Sequence, residues 1–71
     1  MHELAVGFRA LQFGAHNCHN LVSGPTFFAD HEFLGELYGA YEAAYDSVVE
    51  RMIGLRQKPD LNRILLDAAE R

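Results

Sequence analysis

Hydrophobic positions recur at helical spacing along most of the chain, and two breaks divide it into three segments. In the first segment, apolar side chains lie three or four residues apart, as on one face of an α-helix. These are Leu4, Phe8, Leu11, Ala15 and Cys18. The spacing predicts a helix over residues 3–22, although Gly7 and Gly14 each weaken it by about 1 kcal/mol relative to alanine.

The first break, Ser23-Gly24-Pro25, has the composition of a turn. Glycine permits a left-handed residue, and proline disfavours helix in the residue before it. We therefore predict a turn over residues 23–26. Thr26 is then placed to cap the next helix, with its hydroxyl accepting an amide hydrogen bond from the first turn.

The second segment predicts one helix over residues 27–56, about 45 Å long at 1.5 Å per residue. Its apolar positions recur at spacings of three, four and seven: Phe27, Leu34, Leu37, Tyr41, Tyr45, Val48, Met52 and Leu55. The second break, residues 57–60, ends this helix. Asp60 is placed to cap a short third helix over residues 60–71.

These elements predict an all-α fold in a single domain, residues 1–71: a long antiparallel helical hairpin with a short C-terminal helix. The chain has 71 residues, 49% of them hydrophobic, which is too many for a disordered protein and hard to bury in so short a chain. A hairpin leaves one broad apolar face uncovered. We expect a four-helix bundle completed by oligomerisation.

Charge and cysteine content narrow the functional classes. The formal net charge is −4 and no run of Lys or Arg occurs, so we expect no nucleic-acid binding, which depends on neutralising phosphates. No stretch approaches the roughly 20 apolar residues of a membrane span. The single cysteine, Cys18, excludes an intrachain disulfide and suits a reducing compartment. We predict a cytoplasmic protein in which Cys18 is buried and unreactive.

Four side chains are candidate metal ligands: His19, His31, Asp46 and Glu50. Asp46 and Glu50 are four residues apart, so both carboxylates project from one helix face. His19 and His31 lie on either side of the turn, where a hairpin brings them face to face. His31, however, precedes Asp46 by 15 residues, or roughly 22 Å along the helix, too far for one metal ion to bind both.

Two copies of the second helix in antiparallel pairing would close this gap. If His31 faces Asp46 of the second copy, facing residue numbers sum to 77, and the axis passes between Tyr38 and Gly39. Gly35, Gly39 and Ala43 form a small-residue stripe on which two helices could approach closely. Packing of this stripe against the first helix of the same chain is equally consistent with the sequence.

Imidazole and carboxylate ligands together suit iron, manganese or zinc, and a carboxylate-rich set favours iron. His16, one turn before His19, is an additional candidate ligand or a group that supports one; its alternative interpretation is a polar residue on the exposed face. A structural zinc site using His16 and His19 is less favoured, because no thiolate cluster accompanies them.

The chain also resembles, over its whole length, the first half of the Dps-like mini-ferritins (the DNA-binding protein from starved cells and its relatives). Shared features are a His with a Gly five residues on, a Phe-bearing segment, a His-Glu pair, a Leu-Tyr pair, and an Asp followed by Glu-Arg. In this sequence they are His19, Gly24, Phe27-Phe28, His31-Glu32, Leu37-Tyr38, Asp46 and Glu50-Arg51. Residues 59–70 resemble the loop and short helix that follow in the family.

The resemblance implies a ferritin-like fold and a ferroxidase site at a two-fold interface. His19 and His31 would come from one subunit, and Asp46 and Glu50 from the other. In the family, ferrous iron is oxidised there by peroxide or oxygen, and the ferric product is stored in a hollow cage. Because the resemblance covers only about half of the family's chain, it implies a homo-dimer or higher homo-oligomer, or another protein that supplies the missing helices.

Two positions depart from the family pattern. Asn20 stands where a Trp usually follows the first ligand, and Gly35 stands where an acidic residue usually follows the second. Glu42 of a second copy would lie opposite Gly35 in the pairing above, and Glu36 is a weaker substitute. These departures keep open an alternative function: a structural or assembly module, such as a virion component, without catalysis.

Overall fold

The turn after residue 22 fixes the direction of the chain. In a computed structural model that describes residues 1–71, Gly24 adopts a left-handed conformation with φ of 98°, as predicted, and its carbonyl accepts a hydrogen bond from Phe27 N at 3.1 Å. The turn joins α1 (His2–Leu21) to α2 (Phe27–Gly54), and α3 (Leu61–Ala69) follows. All regular structure is helical, which confirms the all-α prediction and the three segments to within two residues at each end.

The two predicted N-caps have different outcomes. Asp60 caps α3 as expected, since its Oδ1 accepts a hydrogen bond from Arg63 N at 3.0 Å. Thr26 is the N-cap residue of α2, but its side chain accepts no amide hydrogen bond. Instead, the Thr26 hydroxyl donates to Asp30 Oδ2 at 2.6 Å. The predicted hydroxyl cap is therefore wrong, because Thr26 has φ of −100° and ψ of 17°, outside the extended region in which an N-cap residue turns its oxygen toward the first amides of the helix.

The C-terminus of α2 is closed by a Schellman motif. Gln57 N donates to Met52 O and Arg56 N donates to Ile53 O, both at 2.9 Å, which is the bonding pattern of that cap. Arg56 occupies the left-handed position, with φ of 61°, where glycine is the usual residue. This cap ends α2 at Gly54 rather than at residue 56.

The core lies where α3 folds back against the N-terminal half of α1. Its buried members are Ala5, Val6, Tyr45, Ile64 and Ala68. The apolar face of α1 identified from the sequence is only partly covered, since Leu4 and Leu11 remain 52% and 50% exposed and Cys18 is also exposed. Contacts with both α2 and α3 turn the Ala5–Val6 side of α1 inward and leave the leucine side at the surface. The expectation of a buried Cys18 is wrong for the same reason.

Polar contacts also hold α3 against the start of α1. His2 Nε2 lies 2.9 Å from Asp67 Oδ2, and Arg63 Nε lies 3.0 Å from Asp67 Oδ1. Arg71 pairs with Glu3. The His2 hydrogen bond, followed by the positive charge of Arg63, lowers the pKa of Asp67 below its ordinary value, against the opposing effect of desolvation.

The hairpin is one helix thick. Its principal extents are 48 × 22 × 13 Å, and its radius of gyration of 13.9 Å exceeds the about 11 Å expected for a compact domain of this length. Only eight of 71 residues are buried. None of the three helices combines the length and hydropathy needed to cross a membrane.

Candidate metal centre

His19 and His31 lie against each other across the turn. Their ring centroids are 3.7 Å apart, with 26° between the ring planes. Each imidazole bonds to the backbone of the other residue: His19 Nδ1 donates to His31 O at 2.7 Å, and His31 Nδ1 donates to His19 O at 3.0 Å. These reciprocal bonds fix both rings.

The same bonds determine the tautomer of each ring. A carbonyl oxygen only accepts hydrogen bonds, so Nδ1 of both residues must carry the hydrogen. In the neutral imidazole, Nε2 then keeps its lone pair. Metal-ligating histidines are typically oriented in this way, with one nitrogen donating to a backbone carbonyl and the other facing the metal. Both rings are partly exposed.

Local sequence explains why the rings fit. His19 belongs to the last turn of α1, where backbone carbonyls lack partners within the helix, and His31 supplies a donor to one of them. Gly35 makes room on α2: a Cβ at this position would lie 3.1 Å from His19 Cε1 and 3.3 Å from Nδ1. The stripe residue Gly35 therefore packs within its own chain, and an acidic side chain there would displace the His19 ring.

Aromatic side chains enclose the histidine pair. The Phe27 ring stacks on His31 with centroids 5.1 Å apart, and Tyr38 lies 5.3 Å from His19. His16 is exposed and also stacks on Tyr38, with centroids 4.3 Å apart and 15° between the ring planes. Phe27 and Tyr38 are not among the site residues predicted from the sequence. Their spacing from His31, four residues before and seven after, is the signal that places them on its face of α2.

The carboxylate candidates lie elsewhere on α2. Asp46 and Glu50 are exposed, as are Glu36 and Glu42. Because α2 is a continuous helix from Phe27 to Gly54, Asp46 stays roughly 22 Å along the axis from His31. No three His, Cys, Asp or Glu side chains of one chain gather closely enough to hold a metal ion. Within a single copy, the four candidate ligands thus form two separate pairs.

An exposed face of α2 connects the two pairs. Phe28, Gly39, Asp46 and Ile53 recur at spacings of eleven, seven and seven residues, which places them on one side of the helix. Phe28 and Ile53 are 85% and 59% exposed, and a Cβ at Gly39 would meet nothing within 4 Å. This face therefore has apolar ends, a carboxylate and an open centre.

Comparison of the chain with known protein families, with curated proteins and with solved structures finds no match.

Proposed function

We propose that this protein binds ferrous iron and oxidises it at a site shared by two copies of the chain. The proposal rests on the reciprocal hydrogen bonds of His19 and His31, in which each Nδ1 donates to a backbone carbonyl. Both Nε2 atoms therefore keep a lone pair that can bind a metal ion. Two fixed imidazoles are half of a ligand set for iron. The other half comes from Asp46 and Glu50 of the second copy.

Antiparallel pairing of α2 with its copy supports this arrangement. When the numbers of facing residues add to 77, the two-fold axis passes between Tyr38 and Gly39. Gly39 and Ala43 are exposed there, and their small size lets the two α2 helices approach closely. The same pairing brings Phe28 within about one turn of Ile53 in the second copy, so both exposed apolar ends are covered. Two paired hairpins give the four-helix bundle expected of a ferritin-like protein.

The reaction we propose follows from this ligand set, with iron as the substrate. Two ferrous ions each lose one electron to hydrogen peroxide, which takes up two protons and leaves as two molecules of water; dioxygen is the alternative oxidant. Neutral imidazoles bind the ion, and the carboxylates offset its growing positive charge. Zinc or manganese would fit the same donors. A reducing compartment such as the cytoplasm suits the exposed free thiol of Cys18.

A ferrous iron titration tests the proposal. The chain is titrated without oxygen, peroxide is added, and ferric absorbance is followed for the wild type, His31→Ala, Asp46→Ala and the control Glu70→Gln, which is exposed and far from the site. Both site variants should lose at least tenfold in iron affinity or oxidation rate, while the control keeps wild-type values. Equal behaviour of all four proteins would remove the proposal.

A structural or assembly module is the second candidate. It is favoured by the eleven large hydrophobic side chains left exposed on one chain, a surface typical of proteins that dock to partners. Under this alternative, the histidine pair serves only to lock the hairpin. His31→Ala would then lower the free energy of unfolding without any change in iron-dependent absorbance.

A further inference from the structure

The chain carries an open apolar groove on the side of α2 away from the carboxylates. Its α1 wall contains Gly7, Leu11, Gly14 and Cys18, and its α2 wall contains Leu34 and Tyr41. The one charged residue that lines it is Arg71, which pairs with Glu3. The groove holds about 600 Å³, and neither glycine has any atom within 4 Å of the position of a Cβ. Leu37, which also lines it, is nine residues from Asp46. This separation is two and a half helical turns, so the two residues lie on opposite sides of α2. The groove is thus distinct from the face used for iron.

The α1 wall has the spacing of a coiled-coil seam. Leu4, Gly7, Leu11, Gly14, Cys18 and Leu21 follow one another at steps of three and four residues, the pattern by which two helices pack along a shared seam. Leu4, Leu11 and Leu21 are 52%, 50% and 79% exposed. No residue of this seam is charged. Large side chains alternate with gaps that are wide enough to receive them.

The seam is complementary to itself in the antiparallel direction. When facing numbers sum to 25, Leu11 meets Gly14, Gly7 meets Cys18 and Leu4 meets Leu21 of the other copy. The axis then lies between residues 12 and 13. In this register each Leu11 would enter the gap beside a Gly14 of the other copy, which would allow the two helices to approach closely.

The α2 wall agrees with the same axis. His19 and His31, which are hydrogen-bonded, lie at the same level along the hairpin, as do Ala5 and Tyr45, which share the core. The numbers of facing residues on antiparallel α1 and α2 therefore add to about 50. A two-fold axis that passes α1 between residues 12 and 13 therefore passes α2 between residues 37 and 38. That is the midpoint between Leu34 and Tyr41, which would face each other across the groove.

The chain as a whole exposes more surface than a compact monomer of its mass, as expected of a subunit that associates. The chain exposes 5044 Å², about 600 Å² more than a folded monomer of 8.0 kDa exposes by the usual scaling of surface with mass. A standard interface covers about 800 Å² on each partner. We infer that the groove binds a second copy of this chain, α1 against α1 in antiparallel register, through an interface separate from the iron face. Two different two-fold interfaces would assemble the chain beyond a dimer.

Cysteine cross-linking tests the register. In the Gly7→Cys variant, the new thiol faces Cys18 of the other copy, within disulfide reach, whereas two Cys18 residues stay roughly 16 Å apart along the axis. Mild oxidation should therefore give a covalent dimer for Gly7→Cys, but not for the wild type or for Gly7→Cys/Cys18→Ala. The control is Gly54→Cys, whose cysteine lies outside the seam. The experiment is run with a chelator, so that its outcome does not depend on the iron site.

Three results would overturn the inference: no covalent dimer with Gly7→Cys, equal cross-linking of the wild type, or equal cross-linking of Gly54→Cys. Sedimentation of Leu11→Gln gives a second measurement, because Leu11 is half exposed and its replacement leaves the core intact. We expect at least a tenfold weaker association at this interface, with Leu66→Gln on α3 as the matched control. Loss of cross-linking with iron oxidation retained would end the inference and leave the proposed function standing.

Discussion

The contact between Gly35 and His19 yields the sharpest prediction about the site. Replacing a glycine within a helix by alanine stabilises the fold by about 0.5–1 kcal/mol when the methyl group meets no obstacle. In Gly35→Ala, the methyl carbon would stand 3.1 Å from His19 Cε1. The ring must then move and weaken the 2.7 Å bond between His19 Nδ1 and His31 O, at a cost of about 0.5–1.5 kcal/mol. The net effect should be near zero or destabilising.

Gly39→Ala is the matched control, one turn further along α2, where a Cβ meets nothing within 4 Å. At a concentration at which the chain is monomeric, it should gain the full about 0.5–1 kcal/mol. Circular dichroism melts should therefore separate the two variants by about 1 kcal/mol, or roughly 4–8 °C in Tm. Gly35→Ala should also bind ferrous iron at least tenfold more weakly. If both variants are stabilised equally, or if Gly35→Ala binds iron as tightly as the wild type, the account of Gly35 is wrong.

Two further predictions concern the ends of the helices. Arg56→Gly should raise the free energy of unfolding by about 1 kcal/mol, because glycine adopts the left-handed conformation without steric cost. Chemical denaturation of Gln57→Gly is the control and should show no gain in stability. An equal gain in both variants would count against the proposed role of the cap. Asp67→Asn should flatten the loss of stability at acid pH. The folded-state pKa of Asp67 is depressed below 3.8, so its contribution is present above that value and is lost as pH falls through the depressed pKa; identical pH profiles of the two proteins would contradict this.

Much of the fold follows from local signals in the sequence. The turn depends on Gly24 and Pro25, and the cap of α3 depends on Asp60, so each is specified within a few residues. The inward face of α1 was harder to predict. Leu4 and Leu11 have the hydrophobicity of core residues, but the place of α3 turns the smaller Ala5 and Val6 inward. Packing between distant segments decides such choices, and periodicity alone does not contain it.

The site shows the same division between local and distant information. Residue spacing brings His19 and His31 together, as any hairpin with this turn would. The reciprocal hydrogen bonds and the role of Gly35 depend on the separation and rotation of α1 and α2, which the sequence does not state. By residue type alone, Gly35 is the loss of an acidic residue from the family pattern. In the fold, the same glycine provides the space that the His19 ring occupies.

Mixing two inactive variants tests most directly whether two copies share the site. His31→Ala and Asp46→Ala are unfolded together in equal amounts, refolded, and assayed for peroxide-dependent iron oxidation. A mixed pair has one site with both defects and one intact site, so random pairing should restore about a quarter of wild-type activity. Recovery near that level, with neither variant active alone, is the result we predict. A mixture as inactive as its components would contradict the shared site.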